Sequence, residues 1–134
     1  MMLAPTPALS AQSCGLSNGV RGVRQTLTAM RAMVRAGKID MAVRQAAVSI
    51  IWLQPERDEW HEAQSLYEWV RDRVRYVRDI SDVETLTTPA KTLQTMIGDC
   101  DDQATLLAAL LETVGYLTRF VVAGYSIPGH YEHV

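Results

Sequence analysis

Cysteine is scarce in this chain, with two in 134 residues. Cys14 and Cys100 cannot make a disulfide framework. Both read as free thiols of a reducing compartment, which makes a cytoplasmic location the expectation. Basic surplus is lacking too. Thirteen Lys and Arg stand against fifteen Asp and Glu, a net charge of −2, so nothing points to nucleic acid. No apolar run approaches the ~18 residues that a membrane span needs. Residues 1–13 hold no Lys or Arg and no continuous apolar stretch, a poor match to a signal peptide. Ala11-Gln12-Ser13-Cys14 is a weak lipid-attachment site for the same reasons. There are no internal repeats and no low-complexity segment. With 48% apolar and 21% charged residues, the chain suits one globular domain with one moderate core.

Residues 1–19 mix Pro5, Pro7, Gly15 and Gly19 with several serines, the composition of a flexible tail. Val23, Leu27, Met30 and Val34 then recur every three or four residues, which predicts a helix ending near Gly37. Asp40 is placed to cap a second helix whose apolar face holds Val43, Ala47, Ile50 and Ile51, closed by Pro55. Trp60, Ala63, Tyr67, Val70, Val74 and Val77 predict a third helix with one buried stripe, leaving Arg71, Asp72 and Arg75 to water. The tryptophans Trp52, Trp60 and Trp69 read as core or groove lining. Residues 79–87 are polar loop. Thr88 before Pro89 opens a short helix to about Met96. Asp99, with Asp102 three residues on, caps a helix so apolar (Leu106, Leu107, Leu110, Leu111, Val114) that it must be central, and Gly115 ends it. Residues 118–125 predict a strand, residues 126–129 a turn, and residues 131–134 the opening of a second strand. Helices followed by strands give an α+β domain.

Cys100 opens the central helix. Unpaired N–H groups and the helix dipole favour negative charge there, which lowers a thiol pKa. The neighbouring carboxylates oppose that effect. Three aspartates side by side argue for polar surroundings, since Asp99, Asp101 and Asp102 are not expected to be buried together. A thiolate with an imidazole delivered from elsewhere is the minimum kit for nucleophilic acyl transfer. Strand alternation puts residues 131 and 133 on one face and residues 130 and 132 on the other, so only one of His130 and His133 can easily face the thiol. His61 falls on the polar side of its helix. Asp99, Cys100, Asp101, Asp102, His130 and His133 do not have the spacing of a structural zinc site, and a calcium loop would need a distal Glu. No cofactor or metal is expected. The Cys100 N–H is an oxyanion donor by its place at the helix start. Gln94 and Gln103 are side-chain candidates for the same role.

The run from Leu66 through Trp69, Arg73 and Tyr76 to Asp79 resembles the helix before the nucleophile in transglutaminase-like cysteine peptidases. Thr88-Pro89 and Thr92-Leu93 are similar to the loop and short helix that follow it. Gly98-Asp99-Cys100-Asp101-Asp102-Gln103-Ala104 resembles the nucleophile motif itself. Thr118-Arg119-Phe120-Val121-Val122 is similar to the first strand of the family's sheet, and His130-Tyr131-Glu132-His133-Val134 to the strand that carries the histidine. The resemblance covers residues 20–134 and is nearest to bacterial and phage members.

It implies a papain-like core: N-terminal helices, a central helix with Cys100 at its start, then an antiparallel sheet. It implies Cys100 as nucleophile and His133 as base; beside them, Gln94 is a candidate oxyanion donor and Asp99 a support that caps the helix start. The triad's Asp would lie on a strand beyond His133, which places residues 20–134 as a domain lacking its C-terminal strands. Such a piece, weak or inactive alone, needs a strand-completing partner chain or a second copy to cover the sheet. The implied substrate is a protein or peptide. A non-catalytic peptide-binding module and an amine-transferring transglutaminase are the alternatives.

Overall fold

The computed structural model describes residues 13–80, 83–128 and 130–134. Most of the expected tail, residues 1–19, therefore lies outside the described residues, as does Gly129 of the expected turn. The described elements are α1 (Val20–Gly37), α2 (Met41–Ile51), α3 (Glu59–Arg73), β1 (Arg75–Tyr76), α4 (Pro89–Thr95), β2 (Ile97–Gly98) and α5 (Cys100–Thr113).

The helix boundaries follow from local chemistry. The Asp40 side chain accepts from the N–H groups of Ala42 and Val43 and starts α2. The Thr88 hydroxyl accepts from Lys91 N, and Pro89 stands where a missing N–H costs nothing. Met96 takes the left-handed conformation (φ 57°) and turns the chain out of α4. At Gly115 φ is 104°, the conformation in which a helix end favours glycine.

α5 is the central element, packed against α1, α2, α3 and α4. Its Leu106, Ala109 and Leu110 join Val43 and Ala47 of α2, Leu66 and Val70 of α3, and Val74 in one buried cluster. Each fully buried Leu or Val contributes about 1.5–3 kcal/mol relative to exposure. Met30 and Val34 of α1 are also fully buried. Gly37 ends α1 so close to α4 and α5 that a methyl group there would sit 2.7 Å from Pro89 Cγ.

The third helix keeps Val70 and Val74 of its predicted stripe in the core, but it ends at Arg73, short of Val77, and its earlier part turns a different face inward. Leu66 and Val70 face the core, whereas Trp60 is 74% exposed and Tyr67 51%. Stripes through Leu66 and through Tyr67 are both compatible with helical spacing. The aliphatic one packs against α5, and the tyrosine ring stays at the rim with the Arg71 guanidinium 5.6 Å from its centre. Trp52 is likewise exposed, on the outer face of α2, while Trp69 packs against the core. Arg71, Asp72 and Arg75 are exposed, as their position between apolar residues required.

The expected antiparallel sheet is replaced by a small parallel one. β1 pairs with β2 in the register Arg75↔Ile97 and Tyr76↔Gly98. Flanking bonds run from Arg75 N to Met96 O (2.8 Å) and from Val77 N to Gly98 O (3.0 Å). Residues 118–125 and 131–134 meet in one antiparallel bridge, Ala123↔His133, and form no extended ladder. A strand is stabilised by neighbours on its hydrogen-bonding edges. Among the described residues, that single bridge is what these segments provide for each other. Val121 and Tyr125 are accordingly exposed. No helix among the described residues is long and apolar enough to cross a membrane.

Candidate active site

The β1–β2 pair brings the end of α3 beside the residues that enter α5, and the run Gly98-Asp99-Cys100-Asp101-Asp102 is built on that junction. Asp99 accepts from Asp101 N (3.0 Å) and Asp102 N (3.1 Å), while Asp102 Oδ2 accepts from Asp99 N (3.4 Å). This is the reciprocal capping box that the sequence predicts. Gly98 allows it to form. A methyl group there would lie 2.6 Å from Asp102 Cβ. Asp102 also reaches outward, its Oδ1 accepting from Thr87 N at 2.7 Å, which fastens residues 83–88 onto the start of α5. Gln103 Nε2 donates to Val74 O at 3.1 Å and ties the same helix to the end of α3.

Cys100 is half-buried at the first position of α5. Its sulfur donates to Asp101 Oδ1 at 3.6 Å and receives the backbone N–H of Val134. The thiol lies opposite to the direction expected from helix position alone. Burial pushes it up to about 11. The Val134 N–H favours the thiolate, and the charges of Asp101 and Asp99 disfavour it. Here desolvation outweighs the helix terminus.

The aspartates also depart from expectation. Asp101 is 7% exposed and Asp102 5%. Burial and a hydrogen bond with Glu84 push Asp101 up to about 7. Burial pushes Asp102 up to about 6 despite the Thr87 N–H. Asp99 moves up as well, burial outweighing its own hydrogen bonds from Asp101 and Asp102. The capping box buries these groups together because it folds their carboxyls back onto the helix start, where residues 83–88 cover them.

His133 is exposed, and its backbone is engaged on Ala123, with Ala123 N donating to His133 O (2.8 Å) and His133 N to Ala123 O (3.1 Å). The imidazole makes no hydrogen bond to the thiol; the adjacent Val134 is what reaches the sulfur. His130 is exposed, with Nδ1 3.5 Å from Glu132 Oε1. His61 Nδ1 lies 2.6 Å from Asp58 Oδ2 on the surface of α3. Gln94 is exposed on α4, where Lys91 Nζ donates to its Oε1 at 3.2 Å. Among the described residues no group of three His, Cys, Asp or Glu side chains is arranged to hold a metal ion. An open recess of about 460 Å³ lies elsewhere, on the outer face of α2 between Met41, Arg44, Val48 and Trp52. Its lining holds neither cysteine nor histidine.

Glu84, a hydrogen-bonding neighbour of Asp101, was not singled out by sequence reasoning. Its signal was weak, an acidic residue in a polar loop. Only the β1–β2 pairing and the Thr87–Asp102 bond carry that loop to the start of α5.

The model of the transglutaminase-like superfamily matches residues 45–134. The chain belongs to this superfamily. The match spans most of α2, all of α3 to α5, Cys100 and the segment that carries His133, and it leaves α1 outside. In this transglutaminase-like domain α1 is nonetheless part of the packed body, through Met30, Val34 and an ion pair to α5. No curated protein and no solved structure gives a significant match.

Proposed function

We propose that this chain is a thiol enzyme acting on amide bonds, a cysteine peptidase or amidase, with Cys100 as nucleophile and His133 as base. The observation that carries the reading is the approach of residues 131–134 to the start of α5, where the Val134 N–H meets the Cys100 sulfur one residue from the imidazole. Rotation of the His133 side chain toward the sulfur lets it take the thiol proton. The thiolate attacks the amide carbonyl, and the Cys100 N–H at the helix start stabilises the oxyanion, with Gln94 joining once it releases Lys91. Collapse expels the amine, which takes the proton from His133 and leaves an acyl-thioester on Cys100. Water then releases the acid, or a second amine takes the acyl group. In the family that this chain resembles, a third residue, usually Asp, orients the histidine. No cofactor takes part. The substrate is a protein or peptide, and the open edges of residues 118–125 and 131–134 suit a partner chain or second copy that adds strands. The proposed setting is the bacterial cytoplasm or a phage-infected cell.

A peptidyl chloromethyl ketone, followed by intact mass, is expected to alkylate Cys100 in the wild type and to do so on the order of 10²-fold more slowly in His133→Ala. Equal rates in the two proteins would remove His133 as base. Incorporation of a labelled primary amine into casein separates transfer from hydrolysis. The second reading is a non-catalytic peptide-binding module, favoured by one observation: the thiol is held protonated at neutral pH. Peptide binding undiminished by Cys100→Ala, with no turnover, supports it.

A further inference from the structure

The outer face of α2 is apolar and open. Met41, Gln45, Val48 and Trp52 recur at steps of four, three and four residues, which sets them on one side of the helix, opposite buried Val43 and Ala47. Ile39 and Leu53 flank the same helix. The five apolar residues of this set are between 41% and 87% exposed, and the recess of about 460 Å³ runs along the face they frame. Apolar side chains this large, gathered and open, mark an interaction surface.

Charge narrows what can cover it. Residues 41–55 hold no acid and one cation, Arg44, whose Nη1 donates to Thr113 O of its own chain at 3.5 Å. Asp40 is engaged by the N–H groups of Ala42 and Val43. A polyanion would meet one cation here and a cationic partner no free carboxylate, so the complement of this face is itself apolar. The face supplies that complement. Its bulk lies at its two ends, Ile39 and Met41 at one, Trp52 and Leu53 at the other. A second α2 turned end for end about a two-fold axis lays Trp52 on Met41 and Val48 on Gln45, each contact made twice. Methionine sulfur against an indole is itself favourable. The size also fits. With the largest side chains offering about 150–250 Å² each, the five leave on the order of 700 Å² open per copy, close to the ~800 Å² per partner of a stable interface.

The geometry points to a homodimer in which two copies of this chain pack their α2 helices antiparallel, Met41 of each against Trp52 of the other. This surface is separate from the open edges of residues 118–125 and 131–134, and it does not depend on reading Cys100 as the nucleophile.

Sedimentation velocity of the full chain, from about 1 to about 200 μM, is the measurement. A monomer at the low end and a dimer at the high end are expected. Met41→Glu and Trp52→Lys each place a charge at the helix end whose dipole suits it. Each is expected to weaken association at least about tenfold with the helical circular dichroism unchanged. Val121→Glu, on the open strand segment, is expected to leave the dimer intact. A monomer throughout, a larger assembly, or a dimer that the α2 variants spare overturns the proposal. Disulfide mapping tests the orientation, and it decides alone if a charged variant fails to fold. In a Cys14→Ser background, Met41→Cys mixed with Trp52→Cys is expected to cross-link on mild oxidation. Met41→Cys by itself is not, since eleven residues of helix separate the two copies of that position by about 16 Å. Cross-linking by Met41→Cys alone, or none in the mixture, overturns the antiparallel dimer.

Discussion

The two ends of α5 bury the same chemical group and treat it in opposite ways. Near the C-terminus, the Glu112 side chain is only 3% exposed. Arg31 Nη1 of α1 meets it at 2.5 Å, Lys38 Nζ at 3.5 Å, and Thr118 Oγ1 donates to it at 2.8 Å. Burial pushes this carboxyl up, but the Thr118 hydroxyl and the Arg31 guanidinium outweigh it and hold Glu112 below the usual range. At the N-terminus, Asp101 and Asp102 are buried among backbone N–H groups and other acids, and both rise. The difference teaches where charge is structural and where it is available. A buried carboxylate with its own cations is a fastener. Buried carboxyls without a cation, beside a thiol, are groups that change protonation near neutrality, as reactive sites do.

The comparison presumes that one packed helix carries both ends, and the largest expected effect removes that helix. Leu106→Ala should cost about 2–5 kcal/mol, with both ends lost in one transition. Urea unfolding followed by circular dichroism checks it, and a loss below about 1 kcal/mol would mean α5 is not central.

Arg31→Ala breaks the fastened end alone. It leaves the buried carboxylate with only Lys38 and the Thr118 hydroxyl, and the cost is about 1–3 kcal/mol, reduced because the guanidinium is one-third exposed. Glu112 is depressed in the folded state, so its contribution is complete above the ordinary glutamate pKa and fades as pH falls through the folded value. The stability gap between wild type and variant should therefore close on acidification. A gap that stays constant down to about pH 3 would show that Arg31 acts by packing.

Asp102→Asn sharpens the other end with the opposite sign. The folded protein holds a proton on Asp102 up to about 6, which the unfolded chain releases near 3.8. More protons bound in the folded state mean that wild-type stability falls as pH rises through this window. Asparagine keeps a carbonyl oxygen for Thr87 N, gives up the long bond from Asp99 N, and removes the titration. The variant should match the wild type near pH 4 and exceed it by about 1 kcal/mol at pH 8. Thermal melts across that range decide it. A variant weaker at every pH would show that the Thr87 bond to the carboxyl outweighs the cost of ionising it.

Much of the helical framework was legible because its signals span three or four residues. Asp40, Thr88-Pro89 and the Asp99–Asp102 box each satisfy N–H groups within one turn, so composition and spacing suffice. The α3 stripe was legible only as a period. Which of two adjacent faces turned inward depended on α2 and α5. The sheet was illegible for a stronger reason. Residues 118–125 have strand composition but obtain a single bridge, whereas Arg75 and Ile97, with little strand signal, pair across more than twenty residues. At the start of α5, the place of Cys100 behind its Asp99 cap was legible from the motif. The burial of Asp101 and Asp102, the upward shift of the thiol and the approach of Glu84 to Asp101 were not.

By itself, the amino-acid order determined where most helices begin, that a thiol opens the most apolar of them, and which family the chain belongs to; the end of α3 at Arg73, short of the predicted Val77, came from the β1–β2 pairing. The properties that the order determined rest on hydrogen bonds and periodicities that close within a turn or two. Tertiary structure decided the direction in which the thiol, Asp99, Asp101 and Asp102 shift. Desolvation depends on which distant segment lies over a carboxyl, here residues 83–88 over one end of α5 and α1 over the other, and no local pattern encodes that cover.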